Sequence, residues 1–149
     1  DRLVFASADM GRPLWVQSFA NQFGTPVAYI SKTRNFEETK VDQVIGSVVD
    51  MDVFIYDDMV RSAGSLIKAA EAYLEQGARR VYAVVSHLAL NDPSIVRKLI
   101  DSPILNIVAT NSHPMSQLPE VQDSDRFVIV DASEVFAETI RELLEGSKE

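Results

Sequence analysis

Two adjacent acids, Asp57 and Asp58, close an apolar run, Val53-Phe54-Ile55-Tyr56, and a stretch of very little side-chain bulk follows, Ser62-Ala63-Gly64-Ser65. Ionised carboxylates only accept hydrogen bonds, and a side-by-side pair suits the vicinal hydroxyls of a sugar such as ribose. Small residues let backbone N–H groups approach a ligand closely. Here they lead into an amphipathic pattern, so the free amides and partial positive charge of a helix N-terminus would face an anion such as a phosphate monoester. The hydroxyls of Ser62 and Ser65 add donors. Diol acceptors beside a phosphate cradle point to a sugar phosphate. Each part alone has a plainer reading: an acid pair ends many strands, and a serine often just caps a helix. The combination of strand, acid pair, small loop and helix favours a site.

The surrounding elements must position these groups. Leu3–Ala6 reads as a strand, followed by a polar loop, Ser7 to Arg12. Pro13 suits a first helical turn, and Trp15, Phe19 and Phe23 recur at a spacing of four with Val16 and Ala20 alongside, a helical stripe that ends at Gly24. Val27–Ile30 is a second strand. Residues 31–43 are polar and charged and read as a long exposed loop, with short strands at Val44-Ile45 and Val48-Val49. After the strand at 53–56, Leu66, Ala69, Ala70, Tyr73 and Leu74 share a helical face that Gly77 closes. Strands at 81–85, 105–108 and 127–130 follow, with a short helix at 93–100, a Pro-rich loop at 113–125 and a last helix near Asp131 with Glu134 as its capping partner. That helix has an apolar face of Val135, Phe136, Ile140, Leu143 and Leu144. The alternation predicts an α/β domain of three layers, a central mainly parallel sheet with helices on both faces, whose ligands bind beyond the carboxyl ends of the strands. Three loops at such ends carry polar residues: 7–12, 31–36 and 57–65.

At 149 residues the chain fits a single domain, residues 1–149, and 46% apolar residues supply a packed core. The 22 acids against 14 Lys and Arg give a net charge of −8, which argues against a generic nucleic-acid binder but not against a local anion site. Without cysteine there is no disulfide, thiolate metal site or cysteine nucleophile, in keeping with a cytoplasmic protein. No apolar run approaches the roughly 20 residues that span a bilayer, so no membrane partner is expected. A start at Asp1, directly before an apolar run, reads as part of a longer chain.

The stretch VFIYDDMVRSAGSL resembles the phosphoribosyl diphosphate (PRPP) loop of type I phosphoribosyltransferases and, more closely, that of ribose-phosphate pyrophosphokinases (PRPP synthetases), with their DDM-x-DTAGT text. The likeness continues through Lys68–Ala72 and Gly77–Ala83. Ser7–Arg12 resembles the synthetase SPDxGG loop, and Lys32-Thr33-Arg34 its KxR loop; Ser86-His87, Ser102–Ile104 and Thr110–Ser112 also have counterparts. The resemblance spans essentially the whole chain and matches the C-terminal half of that enzyme. It implies a type I phosphoribosyltransferase-like fold and diphosphoryl transfer from Mg-ATP to the 1-hydroxyl of ribose 5-phosphate, yielding PRPP and AMP. Asp57 and Asp58 would hold the ribose hydroxyls, and Ser62, Ala63, Gly64 and Ser65 the 5-phosphate. Asp9 would bind Mg²⁺, and Lys32 and Arg34 would stabilise charge on the transferring group. A homo-oligomer is implied, with part of the ATP site and a second metal ligand outside this half.

The departures are specific. Arg61 replaces the third acid of the ribose-phosphate loop and can accept no hydrogen bond. Arg12 stands for the second glycine of SPDxGG, Ala8 for its proline, Leu88 for the glycine after His87, and Ser62 and Ser65 for threonines. Three readings stay open: a divergent catalytic domain, a regulatory or assembly subunit that has lost efficient turnover, and, more distantly, a phosphoribosyltransferase that consumes PRPP. His87 reads as a structural hydrogen-bonding residue, and Trp15 as a packing residue or an interface anchor.

Overall fold

The computed structural model describes residues 2–9, 11, 13–34 and 39–146, with the backbone alone for 32–34 and 39–42. Its elements follow in the order β1 (Leu3–Ser7), α1 (Pro13–Phe23), β2 (Val27–Arg34), β3 (Thr39–Ile45), β4 (Asp52–Met59), α2 (Gly64–Glu75), β5 (Arg80–His87), α3 (Ile95–Ile100), β6 (Ile107–Thr110), α4 (Pro119–Gln122), β7 (Phe127–Val130) and α5 (Ser133–Gly146). A 3₁₀ turn, Pro114–Gln117, precedes α4. The strands form one sheet in the order β3-β2-β1-β4-β5-β6-β7, parallel except for the β2–β3 hairpin.

Alternation along the strands builds two apolar clusters on opposite faces. Val4, Ala6, Val53 and Ile55 pack with Leu66, Ala69, Ala70 and Tyr73 of α2, and with Val96 and Leu99 of α3. Phe5 and Tyr56 pack with Val16 and Ala20 of α1. The predicted helices on both faces are therefore present unequally. α1 covers part of one face, but no residue of α5 is buried, and Phe136 and Leu144 are 62% and 66% exposed.

Several predicted boundaries move. Residues 31–43 are largely strand: β2 runs on to Arg34 and pairs antiparallel with β3, with a bulge between Ser31 and Lys32. Val48-Val49 is not a strand; the chain turns there through Asp50 at φ 58°. β6 begins at Ile107 rather than 105. β4 extends through Asp57 and Asp58 to Met59, so the acid pair lies within the strand, not after it.

The strand order fixes where a ligand can sit. β1 leads through α1 to β2 on one side, while β4 leads through α2 to β5 on the other. The connections after β1 and β4 therefore diverge and open a crevice at the topological switch point. Register brings the two ends level, with Ser7 opposite Tyr56.

Candidate functional site

At the end of β4 the chain turns through Arg61 and Ser62 into α2. Ala63, the residue before the helix, is buried and adopts a left-handed conformation, φ 64° and ψ −12°. For a residue with a Cβ this costs about 1 kcal/mol, a strain typical of positions held by their surroundings at functional sites. No side chain caps the helix, although Ile67 N donates to Ala63 O at 2.9 Å. The first amides of α2 are thus left to solvent or a ligand. A Cβ built at Gly64 would meet only Ser62 Oγ, at 3.9 Å. The chain's own packing does not demand glycine there, which leaves the space beside it open. Ser62, Ala63 and Ser65 line a cavity of about 270 Å³ together with Asp9, Asp57 and Arg61.

Of the acid pair, Asp57 lines this cavity and Asp58 does not. Asp57 is half-buried and its Oδ1 accepts from Asp58 N at 2.9 Å. Burial is the main cause that pushes the Asp57 carboxyl up to about 6; the side-chain hydrogen bond with Asp58, the charge of Asp58 and the charge of Asp9 push in the same direction, while the bond from Asp58 N opposes them. None of the ion pairs among the described residues includes Asp57. Such a carboxylate gains from any hydroxyl donor or cation that reaches it.

Asp9 faces both halves of the crevice. It lines the 270 Å³ cavity and a neighbouring one of about 500 Å³, which Ser7, Tyr56, Asp57 and Asp58 also bound. Gly11 N donates to Asp9 Oδ1 at 2.7 Å, and a Cβ on Gly11 would come within 2.8 Å of that oxygen. The buried Tyr73 hydroxyl of α2 donates to Ser7 O at 2.8 Å and fastens the start of this loop to the cradle helix. Among the described residues, Ser7 Oγ is buried without a hydrogen-bond partner.

Asp9, Asp57, Asp58, Ser62, Ala63 and Ser65 are therefore brought together, with Gly64 at the helix start. Lys32 and Arg34 are placed by their backbone alone. They lie on the part of β2 that continues past β1, and their side chains lie outside the described residues. β2 is parallel to β1, so this extension projects from the same edge of the sheet as the crevice; at 3.3 Å per residue, Arg34 stands roughly 16 Å beyond the level of Ser7. Arg12 also falls outside the described residues. His87 Nδ1 is hydrogen-bonded to Ser112 Oγ at 2.6 Å, in a cluster with Thr110 and Ser86 O, which fits its structural reading.

Sequence reasoning missed Tyr56 and Asn91 as site residues. Tyr56 lines the larger cavity. Asn91 Oδ1 accepts from Arg61 Nε at 3.2 Å, and Asn91 N donates to Arg61 O at 3.0 Å, so Arg61 is seated at the cradle rim. The alternation of β4 gives Tyr56 an inward position, but no local pattern links residues 61 and 91.

Comparison with known proteins establishes the family and the fold. The chain is 35% identical over 98% of its length to a ribose-phosphate pyrophosphokinase of Caldanaerobacter subterraneus subsp. tengcongensis, and 36% identical over 94% to one of Helicobacter pylori. It spans 45% and 42% of those relatives. A phosphoribosylpyrophosphate synthetase from Mycobacterium smegmatis superposes with a TM-score of 0.84 at 26% identity, over 98% of this chain and 46% of that one. A purine phosphoribosyltransferase from Pyrococcus horikoshii shares the fold, with a TM-score of 0.51 at 14% identity, over 87% of this chain and 74% of that one. Residues 18–148 match the family described as phosphoribosyl synthetase-associated domain, and the chain belongs to that family.

Proposed function

We propose that this chain is the sugar-phosphate-binding half of a ribose-phosphate pyrophosphokinase, which transfers the diphosphate of Mg-ATP to the 1-hydroxyl of ribose 5-phosphate and yields PRPP and AMP. The observation that carries this reading is the pair of cavities at the switch point, sharing Asp9 and Asp57, with the α2 cradle in one of them. The cradle takes the 5-phosphate through the amides of α2 and the hydroxyls of Ser62 and Ser65. Asp57 and Asp58 accept from the ribose hydroxyls and orient the sugar so that its 1-hydroxyl faces the second cavity. Lys32 and Arg34, on the arm that projects at the crevice edge, supply positive charge to the transferring group.

Asp9 is the residue proposed to hold Mg²⁺. The donors around the crevice are hard oxygens, which suit this ion, and Mg²⁺ is commonly held by one or two carboxylates together with substrate phosphates. A preformed cluster is not required, and among the described residues no group of three or more acids and histidines forms one. When bound, the ion neutralises charge on the phosphates. Assembly as a homo-oligomer in the cytoplasm belongs to the same proposal. Among the described residues no helix is long and apolar enough to cross a membrane.

Arg61 favours a second reading. Its guanidinium is seated by Asn91 at the cradle where the resemblance calls for an acid. That substitution suits a subunit that binds the sugar phosphate but turns over poorly.

Calorimetric titration of this chain with ribose 5-phosphate, and then with PRPP, each with and without Mg²⁺, tests the site. Saturable one-site binding is expected, and absence of binding to either ligand would remove the sugar-phosphate reading. Turnover of Arg61→Asp separates the two functional readings: a gain in PRPP formation identifies Arg61 as the lesion, whereas no gain means that the chemistry tolerates arginine there or is lost elsewhere.

A further inference from the structure

Among the described residues that line the 270 Å³ cavity, Arg61 is the only lysine or arginine, and the same walls carry Asp9 and Asp57. Its backbone is fixed from two sides. Asn91 N donates to Arg61 O at 3.0 Å, and the preceding residue, Val60, is 3% exposed and donates through its N to His87 O at 3.1 Å. The side chain is held as well, since Asn91 Oδ1 accepts from Arg61 Nε at 3.2 Å. That bond uses one of the five guanidinium donors. The other four, on the two terminal nitrogens, meet no acceptor among the described residues. Arg61 is exposed, so a ligand can reach them.

Asn91 is neutral. It orients the guanidinium without cancelling its charge, unlike Asp52, which takes up both Arg79 and Arg80. The cavity thus keeps a guanidinium and two carboxylates in its walls without pairing them. Those acids would repel a phosphate monoester, whose charge is about −1.5 to −2 near neutral pH. A guanidinium offsets the repulsion, and its planar fork matches two phosphate oxygens. A ligand with hydroxyls at one end and a phosphate at the other satisfies the acids and the arginine together.

We propose that Arg61, held in place by Asn91, is a phosphate clamp at the rim of the cradle: it pairs with the phosphate of the bound sugar phosphate and adds a side-chain cation to the amides of α2. This inference rests on the reading that the cradle takes a phosphate monoester. It gives Arg61 a part in binding whether turnover is efficient or poor.

Calorimetry with ribose 5-phosphate tests it, together with inorganic phosphate, a probe without the sugar, measured by its competition with ribose 5-phosphate. Arg61→Ala should weaken both by about tenfold, as expected for one charge-assisted pair at an open rim. Arg61→Lys keeps the charge but not the fork, and should lose about threefold. Asn91→Asp keeps an acceptor for Nε but neutralises the guanidinium, and should also weaken both ligands by about threefold. A merely structural contact between residues 61 and 91 would leave that variant binding as the parent does. The inference is overturned if Arg61→Ala binds ribose 5-phosphate as tightly as the parent, if the loss is confined to the sugar ligand, or if Asn91→Asp changes neither affinity. Ribose 5-phosphate binding by the parent chain confines such a failure to Arg61, whereas its absence there strikes the sugar-phosphate reading and this inference with it.

Discussion

Strand β4 carries aspartates at both ends, and the two ends treat negative charge in opposite ways. At the first residue, Asp52 receives hydrogen bonds from Arg79 Nε at 2.9 Å and Arg80 Nε at 3.0 Å, and register places it beside Arg80. The hydrogen bonds from Arg80 and Arg79 hold its carboxyl well below the usual carboxylate range. At the other end, Asp57 has Asp58 and Asp9 for charged neighbours, and burial pushes it up to about 6. One end is neutralised by the chain and acts as scaffold. The other concentrates acids where no described arginine or lysine pairs with Asp57, and this costs stability in the absence of a ligand. A partly buried carboxylate such as Asp57, set among like charges, marks a candidate place where something else supplies a donor or a cation.

Removing the acids at the crevice end should have the largest effect. Asp57→Asn combined with Asp58→Asn is expected to weaken ribose 5-phosphate binding by about a hundredfold or more, because two hydrogen bonds to charged acceptors are lost. Calorimetry measures the loss, and circular dichroism should show an intact fold. Unchanged affinity would take both residues out of the site and erase the contrast between the two ends.

Removing the acid at the scaffold end should do the reverse. Asp52→Ala is expected to lower unfolding stability by about 1.5 kcal/mol, since a carboxylate held by two guanidiniums is worth more than a simple surface pair. Ribose 5-phosphate affinity should not change. The depressed pKa of Asp52 means that its contribution is present above the unfolded value near 4 and is lost only as pH falls toward the folded one. Denaturant melts at pH 7 and pH 3 would show whether the difference from the parent persists at the first and shrinks at the second.

The smallest effect has the most telling sign. Asp57→Asn alone should stabilise the ligand-free chain, by less than about 1 kcal/mol at pH 7.5 once the partial exposure of the side chain is allowed for. A raised carboxyl pKa means that the folded chain binds the proton more tightly than the unfolded one. The parent therefore regains stability as pH falls through about 6 toward 4, and the advantage of the variant disappears over that window. A variant less stable than the parent at pH 7.5 would make Asp57 a scaffold residue like Asp52.

Much of this was legible in the sequence. The alternation of strands and helices, the acid pair and the small-residue loop each follow from local pattern, and the loop leads into α2 beside a cavity. The β2–β3 hairpin was hidden because its arm continues past β1 and does not present the alternating apolar face by which a half-buried strand is recognised. The extension of β4 through Asp57 and Asp58 was hidden for a related reason: ladder pairing with β5, as far as Met59 opposite His87, keeps polar residues in strand form. The contacts that complete the site join residues far apart in the chain. Trp15 meets Tyr56, Arg61 meets Asn91, and Tyr73 meets Ser7. Such pairings follow from topology and have no local signature.

The bond from the Tyr73 hydroxyl to Ser7 O acts as a tie rod. It is buried and spans α2 and the end of β1, so the cradle cannot slide along the sheet without breaking it and stranding a carbonyl. The helix that faces one cavity and the end of β1, two residues before Asp9, are consequently tied to one another. The spacing between α2 and the end of β1 works as a gauge, set by the protein's own bond rather than by whatever fills the cavity beside it.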